Sequence, residues 1–207
     1  DGTIGYLKLG KRTSNLWHLS ENISKLNALV DLKLVRCSSG LLANLPPNLR
    51  RLSLTRCNES FLRNLCAPNV GIGQQLEYFS CAGTSNNTRI SGSSINNLIN
   101  NVEKLPTLKL FTLGYIADPD QTLQSLQQNG PSLGNKLTRI GIARSELSED
   151  HLSTLMFETL QTYDHMTILH VRGNQIVSLR NIADRLENEP LLPSYSKRLT
   201  HLNLNEN

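Results

Sequence analysis

The sequence has few aromatic residues and little charge. Of its 207 residues, 5% are aromatic and 18% are charged, and no stretch approaches the roughly 20 consecutive apolar residues of a membrane span. A hydrophobic content of 38% nevertheless argues against a disordered chain. We therefore expect a folded, soluble protein with no membrane span.

The sequence also lacks the motifs of common catalytic and metal centres. It contains no Cys-x-x-Cys, no His-Glu-x-x-His, no phosphate-binding loop and no nucleophile elbow. His170 and His201 are predicted on successive strands, but no third ligand stands at a matching position. We expect no enzymatic activity, no metal and no cofactor.

No targeting signal is visible at the start of the sequence, which begins with Asp1 rather than Met. We expect a trimmed chain, a fragment of a longer protein. A cytoplasmic location is the first choice, and secretion or delivery into a host stays open.

Leucine and asparagine dominate the composition, with 38 and 22 copies. A search for internal repeats explains both. The phrase L-x-x-L-x-L-x-x-(N/C) recurs, and its copies begin at Ile4, Leu29, Leu49, Leu76, Leu108, Leu137, Met166 and Leu199. The chain is therefore predicted to be periodic over its whole length.

Each position of the phrase has a physical role. Apolar residues at the fourth and sixth positions alternate with polar ones, which predicts a short strand with one buried face. The ninth residue leaves the strand, where an Asn side chain can satisfy backbone groups. No single unit buries its apolar face alone, so neighbouring units must stack.

Helices are predicted between several strands. Apolar residues follow a helical period over 95–105, 122–128, 149–161 and 176–187, and Ser94 and Ser148 are candidate N-caps. Two prolines within Leu45–Leu54 exclude a helix from that shorter unit.

These phrases resemble the leucine-rich repeat (LRR) family over residues 1–207. The resemblance implies one α/β domain, a curved solenoid of about eight repeats with parallel strands on its concave face and helices and loops on its convex face. The longer units are similar to the helix-backed, ribonuclease-inhibitor-like subclass. The short unit at Leu49 resembles the repeats of bacterial LRR effectors.

Charge is distributed unevenly between the phrases and the rest of the chain. The eight phrases hold twelve basic and three acidic residues, a net charge of +9, while the remaining nine basic and fourteen acidic residues give −5. The densest basic row is the eighth position, with Lys11, Arg36, Arg56 and Arg144. The resemblance places this charge on the concave face, and basic fields attract acidic partners.

The resemblance also implies a function without chemistry. Modules of this family serve as inhibitors, receptor ectodomains, ubiquitin-ligase substrate adaptors and pathogen effectors. We expect a protein–protein interaction module that binds an acidic or partly acidic protein. The candidate partner-binding residues, rich in the Arg and Tyr typical of binding hot spots, are Tyr6, Lys33, Arg36, Arg51, Arg56, Tyr78, Arg139, Arg144 and Arg172.

Three alternatives stay open. The basic face suits nucleic acid, although no nucleic-acid motif is present. The module is also compatible with a targeting role in a larger enzyme such as a ubiquitin ligase. The outward arginines also fit a merely solvated surface, but the contrast between +9 and −5 favours a binding surface. The oligomeric state is not predicted.

Cysteines and glycosylation sequons add little. Cys37 and Cys57 fall at ninth positions and Cys81 at an inward sixth position, typical of small buried residues, and a Cys57–Cys66 disulfide stays open. This usage favours a reducing compartment. The three sequons, at Asn22, Asn58 and Asn86-Asn87-Thr88, are about as many as chance gives for this composition.

Overall fold

The computed structural model describes residues 5–9, 22–35, 45–56, 59, 61–62, 75–83, 89–188 and 197–207. Within them, eight strands form one sheet in the order of the chain, and every neighbouring pair is parallel. The strands are β1 (Tyr6–Leu9), β2 (Asp31–Val35), β3 (Arg51–Thr55), β4 (Tyr78–Ala82), β5 (Leu110–Gly114), β6 (Arg139–Ala143), β7 (Ile168–His170) and β8 (His201–Asn203).

Each strand begins two residues after the start of one phrase, as Leu29 and Asp31 illustrate. The pairing register keeps equivalent positions side by side, so that Leu32, Leu52 and Phe79 lie in one row. The predicted strands and their parallel arrangement are confirmed. The sheet is not closed, and this open α/β architecture is compatible with a solenoid.

The buried face of the sheet carries the fourth and sixth residues of the phrases. Leu32 and Leu34 of β2 are fully buried, as are Leu52 and Leu54 of β3. They belong to one hydrophobic cluster that also includes buried helix residues such as Ile95. A strand with period-two alternation can bury only one face, so the strand residues between these positions point away from the core.

Helices follow the later strands. They are α1 (Gly92–Val102), α2 (Pro119–Gln128), α3 (Gly130–Leu133), α4 (Glu149–Phe157) and α5 (Arg180–Asn188), with 3₁₀ helices at Ile23–Lys25 and Thr159–Thr162. Helix α1 packs against α2, α2 against α4, and α4 against α5. At 45–50, the two prolines lie in a turn-containing segment without a helix, as predicted.

The N-cap of α4 was predicted correctly and that of α1 was not. The Ser148 hydroxyl accepts a hydrogen bond from the backbone N–H of His151, and the Ser148 backbone N–H donates one to the His151 ring nitrogen Nδ1. For α1, Ser91 accepts from the backbone N–H of Ser94, so Ser94 lies inside the helix. Ser91 has extended backbone angles, which an N-cap requires.

Boundaries of all four predicted helices also differ from the prediction. The 95–105 helix ends at Val102, and the 122–128 helix already begins at Pro119. The 149–161 helix ends at Phe157, and a 3₁₀ helix follows. The 176–187 helix begins only at Arg180, because its first N–H groups find acceptors there. The Arg180 amide donates to the Ser178 hydroxyl at 3.1 Å, and the Asn181 amide donates to the Glu149 carboxylate of α4 at 2.8 Å.

None of the helices within the described residues combines the length and apolar character that crossing a membrane requires.

Candidate binding surface

We define the open face as the side of the sheet opposite the helices. Two rows of side chains cross it in pairing register, from β1 to β8. The first row is Tyr6, Asp31, Arg51, Tyr78, Leu110, Arg139, Ile168 and His201. The second row is Lys8, Lys33, Ser53, Ser80, Thr112, Gly141, His170 and Asn203.

The first strands concentrate the charge of the open face. Lys8 and Lys33 are direct partners on β1 and β2, and like charges directly opposite one another repel. In the neighbouring row, Nε of Arg51 lies 3.4 Å from Asp31, and its guanidinium lies 5.0 Å from the centre of the Tyr78 ring. Asp31 thus pairs with Arg51, and the two lysines have no carboxylate directly opposite.

Tyr6 begins the same row and is 55% exposed. Strands lie about 4.8 Å apart, so Tyr6, Arg51 and Tyr78 fall within about 14 Å along the row. An aromatic ring exposed beside fixed arginine is the composition of protein-binding hot spots. We call Tyr6, Lys8, Lys33, Arg51 and Tyr78 the amino-terminal patch.

The later strands carry less charge on the open face. Arg139 lies between Leu110 and Ile168 in the register, and its buried Nε has no hydrogen-bond partner among the described residues. Burial lowers the pKa of His170, and the nearby charges of Arg139 and His201 lower it further. His170 therefore favours its neutral form.

The amino edge of the sheet holds two of the basic residues counted in the phrases. Arg50 lies 3.3 Å from one Glu77 oxygen, and Lys109 lies 3.8 Å from the other. Both basic residues are the second residue of their phrase, before the strand begins. Their charge is offset by one carboxylate and does not belong to the open face.

We call the side of the sheet where the strands end the carboxyl edge. Several residues there have left-handed backbone conformations. The eighth phrase residue has a positive φ at Arg56 (58°), Tyr115 (54°), Arg144 (52°), Gly173 (68°) and Glu206 (61°). This conformation costs a non-glycine residue about 1–2 kcal/mol. The arginine, tyrosine and glutamate side chains at these positions are therefore present in spite of backbone strain. Such strain is common at ligand-binding sites.

Three of these side chains connect along the edge. Arg144 donates to the Tyr115 hydroxyl at 2.8 Å, and its other terminal nitrogen lies 3.5 Å from Glu206. Arg172 also pairs with Glu206. Hydrogen bonds from Arg172, followed by its charge and that of Arg144, lower the pKa of Glu206, so it is ionised at neutral pH.

Gly173 allows Arg144 to cross the edge. A Cβ at Gly173 would lie only 3.0 Å from the Arg144 Cγ, closer than most side chains accept. The glycine thus serves both the positive φ and the close approach of Arg144.

A cleft of about 240 Å³ opens beside this chain of contacts. In the wall of the cleft, Arg89 forms an ion pair with Glu146 and donates a hydrogen bond to the Ile116 carbonyl. The Arg89 side chain is 12% exposed. We call this space the edge cleft; it is lined by Arg89, Tyr115, Arg144, Glu146, Gly173 and Gln175.

The ninth phrase residue performs the role expected of it. The Asn174 Oδ1 accepts from the backbone N–H groups of Ser145 and Leu147, at 2.8 and 3.3 Å. Its Nδ2 donates to the carbonyls of Ile142 and Val171, at 2.9 and 2.8 Å. Asn174 therefore fixes the backbone where two neighbouring strands end.

The structure divides the predicted partner-binding residues into two groups. Tyr6, Lys33, Arg51, Tyr78 and Arg139 belong to rows on the open face. Arg56, Arg144 and Arg172 follow their strands and belong to the carboxyl edge. Arg36 lies outside the described residues.

Sequence reasoning missed several edge residues. Tyr115 is absent from the predicted residues although it stands at the eighth phrase position, and Arg89, Glu146 and Gln175 are absent because they lie outside the nine-residue phrases. Of the other residues considered, Cys81 is buried as predicted. Cys37, Cys57, Cys66, Asn58, Asn86 and Asn87 lie outside the described residues.

Comparison with known proteins identifies the fold alone. No protein-family model matches the sequence, and the curated proteins give no match. Among solved structures, the chain is similar to a crystal structure of a protein from Bacteroides fragilis, with a TM-score of 0.61 and 15% sequence identity over 90% of this chain. The chain spans about half the length of that protein, 49%.

Proposed function

We propose that the chain is an LRR solenoid that binds an acidic protein surface through its open face, without catalysing a reaction. The eight phrases, the strands that begin two residues after each, and the bonds of Asn174 support the LRR assignment. The longer, helix-backed units favour the ribonuclease-inhibitor-like style. Roles as a substrate-recognition module, an effector or the targeting part of a larger enzyme all use the same kind of surface.

The amino-terminal patch is the observation that carries the binding proposal. Lys8 and Lys33 repel each other across two neighbouring strands. A partner carboxylate placed between them would relieve this repulsion and attract both lysines. Arg51 is aligned for contact by Asp31 and Tyr78. Arg139 adds a further basic residue to the first row of the open face, between Leu110 and Ile168.

The experiment compares a face variant with a matched control. Immobilised wild type, Lys33→Glu/Arg51→Glu and Lys104→Glu/Arg180→Glu are incubated with lysate, and bound species are identified by mass spectrometry. The two double variants change net charge equally, and Lys104 and Arg180 are exposed at the end of α1 and the start of α5. Thermal unfolding of all three proteins verifies their folding.

We expect proteins that are retained by the wild type and the control variant but lost by the face variant. Equal capture by all three would place the binding site elsewhere on the molecule. Capture of nucleic acid alone, with an affinity that falls steeply as salt rises, would replace the proposal with nucleic-acid binding.

A further inference from the structure

The edge cleft offers several hydrogen-bond donors to a ligand. The Tyr115 oxygen accepts from Arg144, which leaves the hydroxyl proton to be donated outward. The Gln175 side-chain amide makes no hydrogen bond within the part of the chain that the structure describes, and it faces the same space. The Glu146 carboxylate, the main acceptor of the wall, is already engaged by Arg89.

Arg144 is held only loosely by its internal partner. Its distance to Glu206 is 3.5 Å, longer than the roughly 2.7–2.9 Å of a charge-assisted hydrogen bond. Glu206 is shared with Arg172, and all three side chains are about half exposed. A second carboxylate can therefore reach Arg144 without first breaking a short bond.

Charge and size select the class of ligand. Among the described residues, Arg89, Arg144 and Arg172 form ion pairs with Glu146 and Glu206, which leaves one net positive charge around the cleft. A single carboxylate balances this charge, whereas a doubly charged phosphate would exceed it and would meet two carboxylates. The cleft volume of about 240 Å³ admits one acidic side chain with its nearest backbone.

We propose that the edge cleft binds a carboxylate of an acidic peptide segment, which displaces Glu206 from Arg144 and accepts further hydrogen bonds from Tyr115 and Gln175. Glu206 then acts as an internal competitor that occupies the site in the free protein. This inference rests on the proposed function in taking the ligand to be a protein segment, but it uses a different part of the surface from the amino-terminal patch.

The test is an NMR titration that observes the Nε–H signal of Arg144. Three six-residue Gly/Ser-based probes are used: one with two central glutamates and blocked ends, one with two central glutamines and blocked ends, and the glutamine peptide with a free C-terminal carboxylate. The first and third probes distinguish a side-chain carboxylate from a terminal one. The second probe contains neither.

We expect the carboxylate probes to shift the Arg144 signal saturably and the blocked glutamine peptide to leave it unchanged. Arg144→Gln should weaken binding at least tenfold, read from tyrosine or peptide signals, and Arg144→Lys should restore part of it. Glu206→Gln should tighten binding several-fold, and Glu187→Gln, an exposed carboxylate of α5, should not change it. No response to either carboxylate probe, or equal binding by Arg144→Gln, would overturn the carboxylate site.

Two further outcomes separate the parts of the inference. Binding that is not tighter in Glu206→Gln would overturn the displacement of Glu206. The Lys33→Glu/Arg51→Glu variant should retain the Arg144 response, so failure of the proposed open-face function leaves the edge cleft testable on its own. Loss of the response in that variant would mean that the probe binds the open face instead.

Discussion

The first four and the last four strands of the sheet place their basic side chains differently. Strands β1–β3 present Lys8, Lys33 and Arg51 on the open face itself. The later strands fill much of that face with small or neutral residues such as Thr112 and Gly141. Of their arginines, Arg139 remains on the open face, while Arg144 and Arg172 lie at the carboxyl edge and share Glu206.

This difference shows that the same phrase can build two kinds of surface. The fourth and sixth positions are buried from β2 to β7, whereas the third, fifth and eighth are free to vary. Basic residues at the third and fifth positions of the early strands lie on the broad open face, whereas Arg144, at the eighth position of the β6 phrase, lines a narrow cleft. The amino-terminal half therefore suits a wide protein surface, and the carboxyl-terminal half suits a single inserted group.

The largest expected effect tests whether the two halves share one core. Leu52→Asp in β3 and Leu169→Asp in β7 each place a carboxylate at a fully buried position and should cost about 4 kcal/mol of unfolding free energy. Chemical denaturation measures both. The control Ser53→Asp, on the half-exposed side of β3, should cost less than 1 kcal/mol. If only one of the two leucine variants lost stability, the two halves would not share a common core.

The next effect tests how strongly the carboxyl-terminal half relies on Asn174. Asn174→Ala removes acceptors and donors from several buried backbone groups, and each unsatisfied group costs about 1–3 kcal/mol. We expect a loss of about 3 kcal/mol or more by thermal unfolding. Asn188→Ala, an exposed helix-end residue bonded to the Asp184 carbonyl, should change stability by less than 1 kcal/mol.

A smaller effect concerns Tyr163, a buried polar group of the carboxyl-terminal half. Its hydroxyl donates to the Leu126 carbonyl at 2.8 Å, and Tyr163→Phe should cost about 1 kcal/mol. Burial raises the pKa of Tyr163 above its ordinary value of 10.0. The folded state therefore retains a proton that the unfolded state loses, and the wild type should lose stability as pH rises above 10.

The pH dependence is read as a difference between two proteins. Tyr163→Phe lacks the titrating hydroxyl, so the stability gap between wild type and variant should narrow above pH 10. Other titrations, including that of Lys136, whose pKa burial lowers, are common to both proteins and cancel. A gap that stays constant between pH 8 and pH 12 would show that Tyr163 does not remain protonated in the fold.

The smallest effects compare the eighth position in the two halves. Arg56 and Gly173 both have positive φ. Arg56→Gly removes the strain of a left-handed non-glycine residue and adds flexibility to the unfolded chain, so we expect a gain of about 0.5 kcal/mol. Gly173→Ala should lose about 1 kcal/mol from backbone strain, and the close Arg144 side chain must also move.

Ser53→Gly is the matched control for Arg56→Gly. Ser53 lies inside β3 with ordinary strand geometry, where glycine costs about 0.5–1 kcal/mol. Substitution by glycine should therefore raise stability at position 56 and lower it at position 53. Destabilisation at both positions would mean that Arg56 contributes more through its side chain than its backbone costs.

The sequence predicted the strands well because burial repeats strictly along the phrase. Leu52 and Leu169 are buried at the predicted positions, and Ser148 caps α4 because its local sequence suffices. The start of α5 escaped prediction because it depends on Glu149, a residue of another helix. The edge cleft escaped for the same reason, since Arg89 and Arg144 meet only after several strands have paired.

The strand order has a mechanical consequence. Each described strand pairs only with the strands before and after it in the chain, so within the sheet no later strand holds an earlier one in place. A force that pulls the two ends of the described sheet apart would peel strands from the outside inward, one boundary at a time. Extension traces should then show a series of small, similar rupture steps in place of one large event, and shortening the sheet should remove steps without changing their height.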